Sequence, residues 1–185
     1  MFAHLDVESS KIQLQKRTPY NGTNRENFLS LLVDEFLNTT SKDAKCQVLA
    51  NLANFAYDPI NYVYIRDVGV LDIFLYVVKN ETENKLLHFA TAGICNLCLD
   101  PLNAEYILKH LGLTPLTALL NCKSTVIEAN ILTILLNLYN EQTKLELQSD
   151  EIKQIILDHS MSEDKMVSNL AKIYLNDIFK LNNQL

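Results

Sequence analysis

The sequence predicts an all-α fold in which a group of helices repeats along the chain and stacks into an α-solenoid. Three observations support this prediction. The 185 residues include only 4 glycines and 4 prolines, whereas a sheet fold of this size needs many tight turns that are rich in those residues. From about residue 27 onward, apolar residues recur three and four positions apart, which is typical of amphipathic helices. The chain also resembles itself at an offset of 42 residues, as repeat architectures do.

The chain divides into three parts. Residues 1–26 are polar and show no sustained period, so we interpret them as a mobile arm with at most one short helix. Residues 27–181 carry the helical pattern and form the predicted repeat domain, which is one domain by the usual length of ~100–200 residues. Residues 182–185 are left as a short C-terminal tail.

The first two helices can be read from their apolar stripes and their start signals. Phe28, Leu31 and Phe36 lie on one side of a helix, which predicts the first element. Ser41 then begins the second helix, because its hydroxyl can accept a hydrogen bond from a free backbone N–H of the first turn. Leu52 belongs to the buried stripe of that second helix.

The self-similarity is strongest over residues 54–65, which recur as residues 96–107 with the asparagine, the Asp-Pro pair and a Tyr-Ile pair in register. A weaker third copy around residues 134–138 places Asn137 in register, and a fourth resemblance ends at Asn176. A helical period of ~40–47 residues is the sequence signature of an armadillo or HEAT array. The prediction is therefore an α-solenoid of three to four units.

Each unit contains signals for three helices. Asp58-Pro59 and Asp100-Pro101 end a long helix, because the residue before proline is disfavoured in the α region. The proline then begins a short helix, which the aspartate can cap. Gly69 and Gly112 end that short helix at a corner with positive φ. Second helices are expected over residues 71–78 and 115–120. Three helices per unit favour the armadillo arrangement over HEAT, which has two.

The chain resembles a known family in these same residues. The runs 51–59 and 93–101 are similar to the third-helix signature of armadillo repeats, and the run 42–59 resembles the small armadillo-repeat protein family. The resemblance covers about residues 27–139. It implies a non-enzymatic protein that binds an RNA-recognition-motif protein and associates with the spliceosome in minor (U12-type) pre-mRNA splicing. It also implies a nuclear location, with the cytoplasm as a second site.

The composition argues against two classes of function, autonomous nucleic-acid binding and membrane spanning. Acidic residues outnumber basic ones by 22 to 16, and the isoelectric point is about 5.2. The chain therefore has no basic footprint of the kind that autonomous nucleic-acid binders show. Its apolar runs fall far short of the ~18 residues that a membrane span requires, so no membrane partner is expected. Four cysteines in a chain of this length are expected to be reduced thiols.

Asparagines recur once per unit and are the candidate site. Asn54, Asn96 and Asn137 take the positions at which armadillo arrays line a concave groove, where an amide can bond the backbone of an extended ligand. The alternative is that they form hydrogen bonds between units and fix the stacking, and both roles stay open. Four further side chains are candidates for this protein-binding groove: Asn51, Asn130, Tyr57 and Tyr139. The tyrosines have packing as their alternative role.

Other patterns are expected to be structural. Cys95-x-x-Cys98 could indicate zinc or thiol exchange, but no second ligand pair has a suitable spacing, so we expect core packing. No catalytic group, metal or cofactor is predicted. The acidic residues from Glu141 to Glu151 form a solvated corner or a dock for a basic partner segment. Two alternatives to the scaffold remain: a helical repeat that binds RNA directly, and a generic peptide-binding adaptor unrelated to splicing.

Overall fold

The computed structural model describes residues 24–181, which form helices and turns without any strand within that range. The α-helices are α1 (Arg25–Asn38), α2 (Lys42–Ala56), α3 (Tyr62–Asp67), α4 (Val70–Asn80), α5 (Asn84–Leu97), α6 (Pro101–His110), α7 (Thr114–Ala118), α8 (Thr125–Leu138), α9 (Lys144–Leu147), α10 (Asp150–Ser160) and α11 (Lys165–Asp177). Short 3-10 helices span Pro59–Asn61 and Leu119–Asn121. The predicted all-α fold is confirmed.

The predicted arm and tail fall mostly outside this range. Residues 1–23 of the arm and residues 182–185 are not among the described residues. The first helix begins at Arg25 and is capped by the Asn24 side chain, which accepts a hydrogen bond from the Glu26 N–H. The division of the chain at residue 26 stays a prediction.

The helices group into four successive units. In the first, α1 and α2 take the places of second and third helix. The next units contain three helices each: α3 to α5, α6 to α8, and α9 to α11. The third helices pack on one another in order, α2 on α5, α5 on α8 and α8 on α11. Each of the first three third helices has a fully buried residue: Leu52 on α2, Ile94 on α5 and Leu135 on α8. The third helices therefore form the centre of the core.

The corner between a third helix and the next first helix is built as the sequence predicts. Asp58 and Asp100 each accept a hydrogen bond from the backbone N–H two residues further on, and a proline occupies the first helical position. At the last corner Asn140 replaces the aspartate and makes the same contact. Side-chain caps of this kind satisfy N–H groups that have no partner within the helix.

Glycine ends the first helix of the two middle units. Gly69 and Gly112 have φ values of 74° and 75°, in the left-handed region that other residues adopt at a cost. The predicted second helices follow them as α4, which extends over Val70–Asn80, and as α7 with the 3-10 turn Leu119–Asn121. Within residues 24–181, no helix has both the length and the apolar character that crossing a membrane requires.

Close packing between α4 and α5 depends on a third glycine. Gly93 on α5 faces the ring of Phe74, which is fully buried on α4. A methyl group at residue 93 would overlap with the Cε2 and Cζ atoms of that ring. The second and third helices of this unit can therefore approach closely only because residue 93 has no side chain.

We expect the substitution Gly93→Ala to lower the free energy of unfolding by about 1–3 kcal/mol, the usual effect of overpacking a core. Helix propensity alone predicts the opposite sign, since alanine is favoured over glycine by about 1 kcal/mol in a helix. Urea unfolding measures the difference. The control is to make Gly93→Ala in a Phe74→Leu variant. With a smaller side chain at residue 74, Gly93→Ala should lose most of its destabilising effect. A stabilised Gly93→Ala variant would contradict the packing described here.

Candidate functional site

The three predicted asparagines lie near the C-terminal ends of three neighbouring third helices. Asn54 is on α2, Asn96 on α5 and Asn137 on α8, and these helices pack side by side. Asn54 and Asn137 are exposed, whereas Asn96 is half-buried. We call this set the amide row. The structure brings it to one end of the third-helix layer, and its binding role stays a prediction.

Asn96 also connects two units. Its Nδ2 donates a hydrogen bond to the Ala53 carbonyl of α2 at 3.3 Å, and its own backbone carbonyl accepts one from the Tyr62 hydroxyl at 2.8 Å. The Asn137 Nδ2 instead donates to the Thr133 carbonyl within α8 at 2.8 Å. Asn96 therefore bonds between units, whereas the hydrogen bond of Asn137 lies within its own helix, and the groove role of all three copies stays a prediction.

The four additional candidates differ in the same way. The Asn130 Nδ2 donates to the Thr91 hydroxyl at 3.1 Å, from α8 to α5, while Asn51 is half-buried on α2. Tyr57 is 79% exposed beside Asn54. Tyr139 is half-buried, and its hydroxyl accepts a hydrogen bond from the Gln148 Nε2 at 3.1 Å. Tyr57 is thus more accessible to a ligand than Tyr139, and the binding role of both tyrosines stays a prediction.

The third-helix layer carries few charges in its middle. Beyond their first three residues, α5 has no acidic, lysine or arginine side chain and one histidine, His88, while α8 has only Glu128. Glu128 has a structural role, because its Oε1 accepts a hydrogen bond from the Lys123 N–H at 3.0 Å. Its other oxygen lies 3.8 Å from the His159 ring. Beyond their first three residues the two middle third helices therefore carry no lysine or arginine, whereas α2 has Lys45 and α11 has Lys172.

A repeated arginine–asparagine contact was not predicted from the sequence. The Arg25 Nη1 donates to the Asn61 Oδ1 at 2.7 Å, and the Arg66 Nη1 donates to the Asn103 Oδ1 at 3.0 Å. Both asparagines are buried, with 2% and 0% exposure. The sequence feature that could have predicted this contact is the asparagine two residues after the proline of each Asp-Pro pair. A buried amide needs partners, and each arginine, from the preceding unit, donates to the amide oxygen, while the buried Asn103 Nδ2 has no hydrogen-bond partner among the described residues.

A cleft lies between α6 and the last corner of the array. Its volume is about 960 Å³. It is present because the first helix of the last unit, α9, has only 4 residues, whereas α6 has 10. The short helix leaves one side of α6 uncovered. The lining residues are Cys98, Leu99, Pro101, Ala104, Glu105, Leu108, Lys109, Asn137, Tyr139, Asn140, Glu141 and Gln142.

The cysteine pair belongs to the packed interior. Cys98 is buried and its Sγ donates to the Cys95 carbonyl, while Cys95 is half-buried. Burial raises the pKa of the Cys98 thiol to about 12. Among residues 24–181 no cluster of three or more histidine, cysteine or acidic side chains is arranged to hold a metal ion.

The fold can be compared with solved structures. A designed armadillo repeat protein superposes with a TM-score of 0.69 at 19% identity, over 81% of this chain and 64% of its own. A second engineered protein gives a TM-score of 0.70 at 18% identity, over 82% of this chain and 37% of its own. This chain accordingly has the fold of an armadillo-type α-solenoid.

The sequence comparison identifies the family. No family model matches the chain. A curated mouse (Mus musculus) protein, Armadillo repeat-containing protein 7, is 42% identical over 167 residues, which cover 89% of this chain and 83% of that protein. The chain belongs to the armadillo repeat-containing protein 7 family.

The two roles in the amide row can be separated by stability. We expect Asn96→Ala to lower the free energy of unfolding by about 0.5–1.5 kcal/mol, the usual contribution of one hydrogen bond. Asn54→Ala is the matched control, and we expect it to change stability by less than ~0.5 kcal/mol because its side chain is exposed. Chemical unfolding of both variants measures this difference. Equal effects would show that the contact from Asn96 to Ala53 does not contribute to stacking.

Thiol reactivity tests the environment of Cys98. A pKa near 12 instead of 9.0 reduces the reactive thiolate at pH 8 by roughly a thousandfold, and the thiolate is the nucleophile. We expect Cys98 to resist alkylation in the folded protein, while the half-buried Cys122 reacts first. Mass spectrometry after timed labelling identifies the modified site, and labelling in denaturant provides the control. Equally fast labelling of Cys98 and Cys122 in the folded protein would contradict the buried placement.

Proposed function

We propose that this protein is a non-enzymatic scaffold whose third-helix layer binds a protein partner along the amide row. The partner we propose is an RNA-recognition-motif protein that acts in minor (U12-type) pre-mRNA splicing in the nucleus. The observation that supports partner binding most directly is the recurrence of Asn54, Asn96 and Asn137 at the same end of three stacked helices. Two of these amides are exposed.

An extended peptide suits such a row. Each asparagine amide offers two donors and one acceptor that can accept twice, which matches the alternating groups of a peptide backbone. Neighbouring helices lie about 10 Å apart, and about three extended residues cover that distance. A partner segment that crosses the layer would therefore meet one amide per three residues. Tyr57, with 79% of its surface exposed, adds an aromatic contact at one end.

The charge distribution favours a protein ligand over bare RNA. Affinity for RNA depends strongly on lysine and arginine side chains that neutralise phosphates. Beyond their first three residues α5 and α8 have no such side chain, and the whole chain carries a formal charge of −6. In this proposal RNA is reached through the partner. A titration of RNA affinity against salt would separate the two cases, because direct phosphate binding weakens steeply as salt increases.

The acidic stretch after α8 favours a basic partner segment. Glu141, Glu146, Asp150 and Glu151 are all exposed, and Lys144 is the only cation in residues 141–151. Complementary charge of this kind increases the rate of association and helps to select the partner. The roles in splicing and in the nucleus rest on the resemblance of residues 27–139 to the small armadillo-repeat family, and the third-helix layer provides the surface on which they would operate.

Depletion of the protein from cells tests the proposed role. We expect retention of U12-type introns in sequenced RNA, while the major-type introns of the same transcripts are spliced normally and serve as internal control. Re-expression of the wild-type chain should restore splicing. Unchanged U12-type introns after complete depletion would overturn the splicing role and leave the scaffold class untouched.

The amide row can be tested as the binding surface in the same cells. The double variant Asn54→Arg/Asn137→Arg places two long cations on exposed positions of the row, so we expect it to fold and to fail in rescue. Leu31→Ser is the control, because it changes an exposed side chain on α1, a helix that carries no member of the row. Purification of both variants after nuclease treatment should show that an RNA-recognition-motif protein is lost only from the double variant. Full rescue by the double variant would exclude the row as the binding surface.

A further inference from the structure

We propose that the cleft between α6 and residues 139–142 is a docking site for a short partner segment in which a large apolar side chain lies next to lysine or arginine. This inference rests on the proposed scaffold function and adds a second contact surface to it. The cleft shares Asn137 with the amide row, but its floor belongs to the first helix of a different layer. Variants on that floor therefore test the cleft without altering the row.

The cleft lies where the repeat pattern is interrupted. The other first helices are longer: α6 has 10 residues, and α3 with its preceding 3-10 turn covers residues 59–67. In the last unit the Asp-Pro pair is replaced by Asn140-Glu141, and only the 4 residues of α9 are helical. The side of α6 that a full-length helix would flank is left open, with a volume of about 960 Å³. This lies within the range of ligand-binding clefts in proteins, ~300–1,000 Å³.

One wall of the cleft is apolar and accessible. Leu99 is 65% exposed and Pro101 is exposed, while Ala104 and Leu108 are half-buried on α6 behind them. Leu102, the next residue after Pro101, is 60% exposed but is not among the lining residues. Contiguous exposed apolar groups beside a concave surface are typical of protein-interaction sites. A leucine, methionine or aromatic side chain of a partner would displace water from these groups.

The opposite wall and the rim are polar and acidic. Asn137, Asn140 and Gln142 provide amides that can bond a peptide backbone. Glu105 takes part in no ion pair among the described residues, and Glu141 is 91% exposed with Lys144 at 3.7 Å.

Lys109 is the only cation among the lining residues, against two carboxylates, and the acidic residues 146–151 follow directly. This arrangement of charges disfavours phosphate and other anions. A lysine or arginine next to the large apolar side chain of the partner segment can instead pair with Glu105 or Glu141.

Selection from a displayed library of random 12-residue peptides against the full chain tests this directly. We expect enriched peptides to place a large apolar residue within four positions of lysine or arginine. A fluorescein-labelled consensus peptide should bind Ala104→Phe at least tenfold more weakly, because the new ring fills the cleft. Glu105→Lys should weaken the same peptide and strengthen a version in which its basic residue is changed to glutamate.

Two controls identify the surface. Leu31→Ser and Asn54→Arg should bind the consensus peptide as the wild type does, and thermal unfolding verifies that every variant is folded. Loss of binding in Asn54→Arg together with unchanged binding in Ala104→Phe would overturn the cleft while supporting the amide row. Loss in Ala104→Phe with unchanged binding in Asn54→Arg supports the cleft independently of the row. Failure to enrich any peptide, or enrichment of acidic peptides, would also overturn the inference.

Discussion

Stacking of the third helices is the interaction on which the rest of the structure depends, because no single unit can bury its apolar surface alone. α5 lies between α2 and α8, and α8 lies between α5 and α11. Helices that are covered on both sides must be apolar around most of their circumference: α5 and α8 each have seven buried residues, and all seven of α8 are apolar. The last described third helix, α11, exposes a mixed set of side chains, the polar Asn169, Lys172 and Asn176 and the apolar Met166 and Ile173.

Polar contacts between units determine how the helices align, while the apolar contacts supply most of the stability. The pairs Arg25–Asn61 and Arg66–Asn103 occupy equivalent places in successive units, and Asn96 and Asn130 add bonds between third helices. Buried polar groups penalise any arrangement that leaves them without partners. Some of the amides that could bind a ligand thus also hold the scaffold together, and the exposed Asn54 and Asn137 are more accessible to a ligand than Asn96.

The two candidate surfaces arise for different reasons. The amide row exists because the repeat is regular, so that equivalent side chains from α2, α5 and α8 end at the same edge. The cleft exists because the repeat is interrupted after α8, where Asn140-Glu141 replaces Asp-Pro and α9 is short. A regular surface suits an extended chain that repeats its contacts, whereas an interruption offers one deeper site for a single anchoring side chain.

The sequence by itself determined the features that depend on a few neighbouring residues: the helical stripes, the Asp58 and Asp100 caps, and the glycine corners at Gly69 and Gly112. The 42-residue repeat was visible as well, because self-similarity can be seen without knowing any contact. The sequence also placed the asparagines once per unit, but it could not say which of them bond between units. Only the tertiary structure decided that Asn96 is engaged while Asn54 is exposed, and that α6 lies open beside a short α9. The physical reason is that these outcomes depend on groups 34 to 43 residues apart, whose contact is set by how whole helices pack and not by local propensity.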